Sequence, residues 1–172
     1  MRKSTFATSL CLIATLLLAA CATATPAPTE APEAKMAFAM VTDQAGLGDQ
    51  GFNDITWEGL QQAATDFNAE AQVVESTEQA QYVPNLTNLV QQDVDLIVGV
   101  GFLLVDAMQE VAAANPGDAF ALVDAAVEAP NVRGLLFREQ EGSFLGGIIS
   151  GLTTQTNTIG VVGGMEIPPG IR

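Results

Sequence analysis

The stretch Asp43-Gln-Ala-Gly-Leu-Gly-Asp49-Gln-Gly-Phe52-Asn53-Asp54 decides the reading of this chain. An apolar run, Met36-Ala-Phe-Ala-Met-Val41, precedes it, and a helical pattern beginning near Ile55 follows it. A strand feeding a glycine-rich loop that opens a helix is the first βα turn of an open α/β sheet. In such sheets ligands sit outside the carboxyl ends of the strands. Gly46, Gly48 and Gly51 allow a close approach of backbone to ligand. Asp49 and Asn53 offer hydrogen-bonding groups, and Phe52 offers a flat apolar face. The same residues would also serve as an ordinary polar connection, with a helix cap at Asn53 or Asp54.

Downstream, strand and helix patterns alternate. Ile55, Leu60, Ala63, Ala64 and Phe67 recur at helical spacing, and a short strand is expected over residues 71–75. A second helix follows Pro84, a favoured first helical residue, with Val83, Leu86, Leu89 and Val90 on one face. Val94-Asp-Leu-Ile-Val-Gly-Val100 is almost continuously apolar, as a strand covered on both faces should be. A helix over residues 104–114 stops at Asn115-Pro116-Gly117, and a fourth strand over residues 119–123 ends in Asp124. A strand near residues 132–137, a helix over residues 142–152 and a strand Thr158-Ile-Gly-Val-Val162 complete the series. Alternation at this spacing predicts an α/β fold with a parallel, doubly wound sheet. The strand at residues 158–162 would need a crossover and neighbours. The sequence is therefore expected to be a fragment, with residues 36–137 forming a first lobe and residues 138–172 the incomplete start of a second.

The N-terminal segment has a different character. Arg2 and Lys3 precede the apolar run Cys11-Leu-Ile-Ala-Thr-Leu-Leu-Leu18, which is short for a membrane span. Leu18-Ala19-Ala20-Cys21 matches the bacterial lipoprotein box, so residues 1–20 read as an export signal and Cys21 as the lipidated first mature residue. The Thr/Pro/Ala-rich residues 21–35 read as a tether stiffened toward polyproline II. The expected location is the extracytoplasmic side of the cell membrane.

Composition narrows the chemistry. The chain has 172 residues, 48% of them hydrophobic and 15% charged, which suits a globular domain with a real core. Loss of Arg2 and Lys3 with the signal leaves 4 bases against 20 acids, a charge of −16, so a nucleic acid polymer is not an expected partner. There is no histidine, and both cysteines, Cys11 and Cys21, lie in the N-terminal segment. That removes Ser-His-Asp and Cys-His catalysis and zinc sites built on His or Cys. No catalytic residue, metal or cofactor is expected. Carboxylate-only chemistry and an oxygen-ligand cation site remain open.

Asp43, Asp106 and Asp124 fall just past the ends of predicted strands, on the edge that also carries Phe102 and the loop from Asp49 to Asn53. Such a row can accept hydrogen bonds from ligand hydroxyl or ring N–H groups. Residues 36–132 contain no lysine or arginine to meet a phosphate or carboxylate. Gly99-Val-Gly101 begins like a dinucleotide fingerprint, but Leu104 stands where the third glycine belongs. A neutral, hydroxyl-rich ligand with an apolar face fits best, either a sugar or a nucleoside.

These motifs resemble the basic membrane lipoprotein family, the purine-nucleoside-receptor-like solute-binding proteins of ABC transporters. The resemblance rests on Asp49-Gln-Gly-Phe-Asn53, Trp57-Glu-Gly-Leu60, Asp95-Leu-Ile-Val-Gly-Val-Gly-Phe102 with Asp106-Ala107, and Phe120-Ala-Leu-Val-Asp124. Asn131-Val132, Glu139-Gln-Glu-Gly-Ser-Phe-Leu-Gly-Gly147 and Gly160-Val-Val-Gly-Gly-Met165 follow in the family's order. Gly51 departs from the serine common at that position. The resemblance implies a periplasmic-binding-protein-like fold whose two lobes close on a nucleoside, delivered to an ABC permease. It further implies ligand contacts from Asp43, Asp49, Phe52 and Asn53, a ribose-hydroxyl acceptor at Asp106, and an approach by Gly163 and Gly164 from the second lobe. Phe102 and Asp124 carry over less directly, and Trp57, on an amphipathic helix, is expected to pack. A sugar receptor, a ligand sensor and a carboxylate-based nucleoside hydrolase are the competing functions.

Overall fold

The computed structural model describes residues 35–163; the export signal, Cys21, nearly all of the tether and Gly164 lie outside the described residues. Five strands form one parallel sheet: β1 (Ala37–Val41), β2 (Glu70–Val74), β3 (Leu96–Val100), β4 (Phe120–Val123) and β5 (Val132–Leu135). Among the described residues four α-helices accompany them: α1 (Phe52–Asp66), α2 (Tyr82–Val90), α3 (Val105–Ala114) and α4 (Glu139–Thr153). The strand order is β2-β1-β3-β4-β5. From β1 the chain winds one way to β2 and then the other way to β3, so the topological switch point lies between β1 and β3. Crevices at that position open at the carboxyl ends of the strands.

The period of two along each strand divides the core into two layers. Ala39, Val41, Ile97, Phe120 and Leu122 face α2 and α3 and meet Leu86, Leu89, Met108 and Val111. Phe38, Met40, Val98, Val100, Ala121 and Val123 belong to the opposite layer, with Leu60 and Ala64 of α1. Trp57 packs at the margin of that second layer, in the structural role expected of it. Full burial of Leu86, Leu89, Ile97 and Leu122 is worth about 1.5–3 kcal/mol each, which makes this two-sided cover the main source of the sheet's stability.

Four expectations shift. Helix α1 begins at Phe52 rather than near Ile55, which puts Asn53 and Asp54 inside the helix instead of at its cap. Pro84 is the third residue of α2, behind a 3₁₀ turn at Gln79–Gln81, where its missing N–H is still harmless. Strand β3 starts at Leu96, since the Asp95 carboxylate accepts the Ala37 N–H at 2.7 Å and ends the ladder there. Residues 158–162 form no strand. No described strand lies beside them, and Ile159, Val161 and Val162 stay exposed, the last at 100%. A parallel strand exists only in a pairing, and an apolar run alone cannot supply one.

Candidate functional site

Loop geometry at the end of β1 is set by three carboxylates with different loads. Asp49 accepts the N–H groups of Gly51 (2.8 Å), Asn53 (3.0 Å) and Asp54 (3.1 Å), and the Asn53 Nδ2 at 3.1 Å. It therefore satisfies orphan donors of the α1 N-terminus from three residues before the helix, which is why α1 starts early. Partial burial pushes the Asp49 carboxyl up, but these four hydrogen bonds outweigh it and hold the group below the ordinary aspartate value. Asp54 returns to the loop and accepts the N–H of Gly48 at 2.7 Å and of Gln50 at 2.9 Å. Asp43 accepts the Ala45 N–H (3.0 Å) and the Asn53 Nδ2 (2.8 Å), both on Oδ1. Its Oδ2 has no hydrogen bond to the described residues.

Asn53 joins the two ends of the loop. It is 1% exposed, its Nδ2 spans Asp43 and Asp49, and its buried Oδ1 has no partner among the described residues. Phe52, one residue earlier, is 48% exposed. Its ring stands 6.1 Å from that of Phe137, at 45°, above an apolar depression lined also by Ile55, Thr56, Val123 and Leu135. These are the residues of the sheet's α1 side that lie toward β4 and β5.

Across the switch point, β3 ends in Gly101, whose φ of +92° is a conformation that L side chains rarely adopt. A Cβ there would stand 3.5 Å from Asp43 Oδ2. The free oxygen of Asp43 and the bare backbone of Gly101 thus share the crevice. Phe102 opens the 3₁₀ turn that follows, but its side chain packs against the core under α2 and α3 rather than standing free. Asp106 lies exposed in the first turn of α3 without capping it. Asp124 ends β4 with a left-handed φ of +63°, and its N–H donates to the Leu135 carbonyl at 2.9 Å.

The structure therefore brings Asp43, Asp49, Phe52 and Asn53 into one connected loop and sets Gly101 against it. Asp106 and Asp124 lie at the same edge of the sheet, after β3 and β4. Gly163 lies in irregular chain beyond α4, with open space around it, and is not gathered to this edge.

A supporting polar chain escaped sequence reasoning. Buried Thr42 accepts the Ser76 N–H at 3.1 Å, and Ser76 Oγ accepts from Asn85 at 3.0 Å. The buried Tyr82 hydroxyl accepts the Gln44 N–H at 3.1 Å. Burial raises the phenol pKa, the Gln44 N–H opposes that, and the Asp43 carboxylate adds to it. The Glu75 carboxylate accepts the Leu47 N–H at 2.9 Å and crosses Gly46, where a Cβ would fall 2.8 Å from it. The one signal in the sequence was Thr42, a polar residue directly after the apolar strand.

Comparison with known proteins agrees with this architecture. Residues 36–170 match the family described as ABC transporter substrate-binding protein PnrA-like. The CD4+ T-cell-stimulating antigen of Listeria innocua is 36% identical over 96% of this chain and 50% of its own length. The ABC transporter nucleoside-binding protein BmpA of Lactococcus lactis is 35% identical over 74% of this chain and 38% of its own. A crystal structure of an ABC transporter solute-binding protein from Aeropyrum pernix superposes with a TM-score of 0.68, at 33% identity, over 78% of this chain and 39% of that one. The chain thus spans half or less of the length of these relatives. With its motifs in order and its parallel sheet in common with them, the chain belongs to the PnrA-like family of ABC transporter substrate-binding proteins.

Proposed function

We propose that this chain carries the first ligand-binding lobe of a receptor that captures a neutral nucleoside outside the cell and passes it to an ABC permease. Residues 36–137 would form that lobe, and α4 would begin the second. Helix α4 has no buried residue, and Phe144, Leu145, Ile149 and Leu152 stand exposed along it, as an element awaiting cover should. Cys21 would be the lipidated residue and residues 22–35 the tether that keeps the receptor at the membrane.

One observation carries the choice of ligand. A free carboxylate oxygen at Asp43, the bare backbone of Gly101 and the half-exposed ring of Phe52 are gathered at an edge to which residues 36–132 contribute no cation. A hydroxyl donor can bind such an acceptor, a flat base can lie on such a ring, and a phosphate finds no lysine or arginine among residues 36–132 to neutralise it. Asp106 and Asp124, at the same edge, would serve as further acceptors for ribose. The name of the Lactococcus relative agrees with this choice.

Calorimetric titration of the full-length, unlipidated protein tests the proposal with guanosine, inosine, adenosine, cytidine, ribose and a hexose. One-to-one binding of purine nucleosides with ribose inert is the expected result. Binding of ribose or hexose alone would move the protein to sugar uptake. Release of hypoxanthine from inosine would overturn the receptor reading in favour of a hydrolase.

A further inference from the structure

We infer that Asp49 and Asn53 are positioning residues that act on the ligand only through Asp43. The inference rests on the nucleoside-receptor reading of this edge and divides the labour within it. Two aspartates that look equivalent in the sequence are occupied differently. An ionised carboxylate has about four lone-pair sites. Asp49 receives four N–H groups, at 2.8, 3.0, 3.1 and 3.1 Å, and has no acceptor capacity left for a ligand hydroxyl. Asp43 receives two, both on Oδ1, and Oδ2 stays open beside Gly101.

Asn53 connects the two. Its side chain is almost wholly buried and offers a ligand no surface, while its amide nitrogen donates to both carboxylates, at 2.8 and 3.1 Å. Without that amide, two like charges would face each other across the loop with no donor between them. By holding Oδ1, Asn53 fixes the plane of the Asp43 carboxylate and leaves Oδ2 as the acceptor. Asp49 in turn holds Asn53 by backbone and side chain together.

A double-mutant cycle separates this role from a direct contact. Guanosine affinity is measured by calorimetry on the full-length protein and on D43N, D49N and the D43N/D49N pair, with thermal unfolding followed for each. Action through Asp43 predicts that each single variant loses roughly 10-fold or more and that the pair is no weaker than the worse single variant, within about 3-fold. Losses that multiply in the pair would mean that Asp49 touches the ligand or supports the fold independently, and would overturn the inference. Wild-type affinity in D49N would overturn it as well. Wild-type affinity in D43N would instead overturn the reading of the edge as a ligand site, a failure that does not involve position 49. Should D49N unfold at the assay temperature, Asp49→Ser, which keeps a capping acceptor, takes its place in the cycle. Asn53→Leu, which removes the amide at similar size, is expected to reproduce the D49N loss and to be equally silent when Asp43 is already changed.

Discussion

The two edges of the sheet are both acidic, yet they are built differently. At the amino edge, Asp95 ties down the Ala37 N–H, and Asn131 Nδ2 donates to the carbonyls of Ala112 (3.2 Å), Asn115 (3.0 Å) and Asp118 (3.1 Å). These two side chains close the chain upon itself. At the carboxyl edge, Asp49 and Asp54 do the same for the loop, but Asp43 keeps a free oxygen, Gly101 adopts a left-handed turn, and Phe52 stands in the open. Acidity alone does not mark a site. Unused carboxylate oxygens occur at both edges, on Asp93, Asp95 and Asp118 as on Asp43; what separates the edges is a carboxylate held beside a glycine of positive φ, with an exposed ring in the same loop, at the point where the winding of the chain reverses.

That contrast breaks down if the edges respond alike to mutation. The first expected effect is on stability at the amino edge. Asn131→Ala removes a two-hydrogen donor shared among three carbonyls, of which those of Ala112 and Asn115 keep a backbone N–H, and should lower unfolding free energy by about 1–3 kcal/mol in denaturant titration, with guanosine affinity of the folded fraction unchanged. A change in affinity there would erase the distinction. Phe52→Ala should behave inversely: about 1–3 kcal/mol of guanosine binding lost, by analogy with bases stacked on aromatic side chains, and little stability lost from a ring already 48% exposed. Unchanged affinity would remove Phe52 from the site.

The smallest effect is in acid. The Asp49 carboxyl sits below its ordinary value in the folded chain, so its contribution to stability is complete above the unfolded value of about 3.9 and is lost as pH falls through the folded value. The stability gap between wild type and D49N should therefore narrow on acidification below about pH 4. A gap that stays constant through that range would show that the hydrogen bonds at Asp49 do not favour its charged form.

Most of the scaffold was legible because burial on both faces writes itself into β1, β3 and β4 as unbroken apolar runs. Residues 158–162 carry the same kind of run and form no strand, since pairing depends on partners that periodicity does not report. The candidate site was legible as a loop and an edge rather than as roles. Asp43, Asp49 and Asn53 could be put in one loop from their spacing, but which carboxylate remains free depends on the turn of a backbone whose Gln50 sits at a φ of +51°. Phe102 lies just past β3, in the 3₁₀ turn after Gly101, and rests half-buried against the core, a packing that its place in the sequence does not report. Phe137, far away in sequence, comes to Phe52 only through the pairing of β5 with β4.

The most direct test of the account is amide chemical-shift mapping of the full-length protein as guanosine is added. The largest shifts should fall on residues 43–53 and 99–106, at the carboxyl ends of β1 and β3, and residues 93–95 and 117–119 at the amino edge should stay still. Shifts centred on the amino edge, with the loop between Asp43 and Asn53 unmoved, would contradict the assignment of the ligand to the switch point.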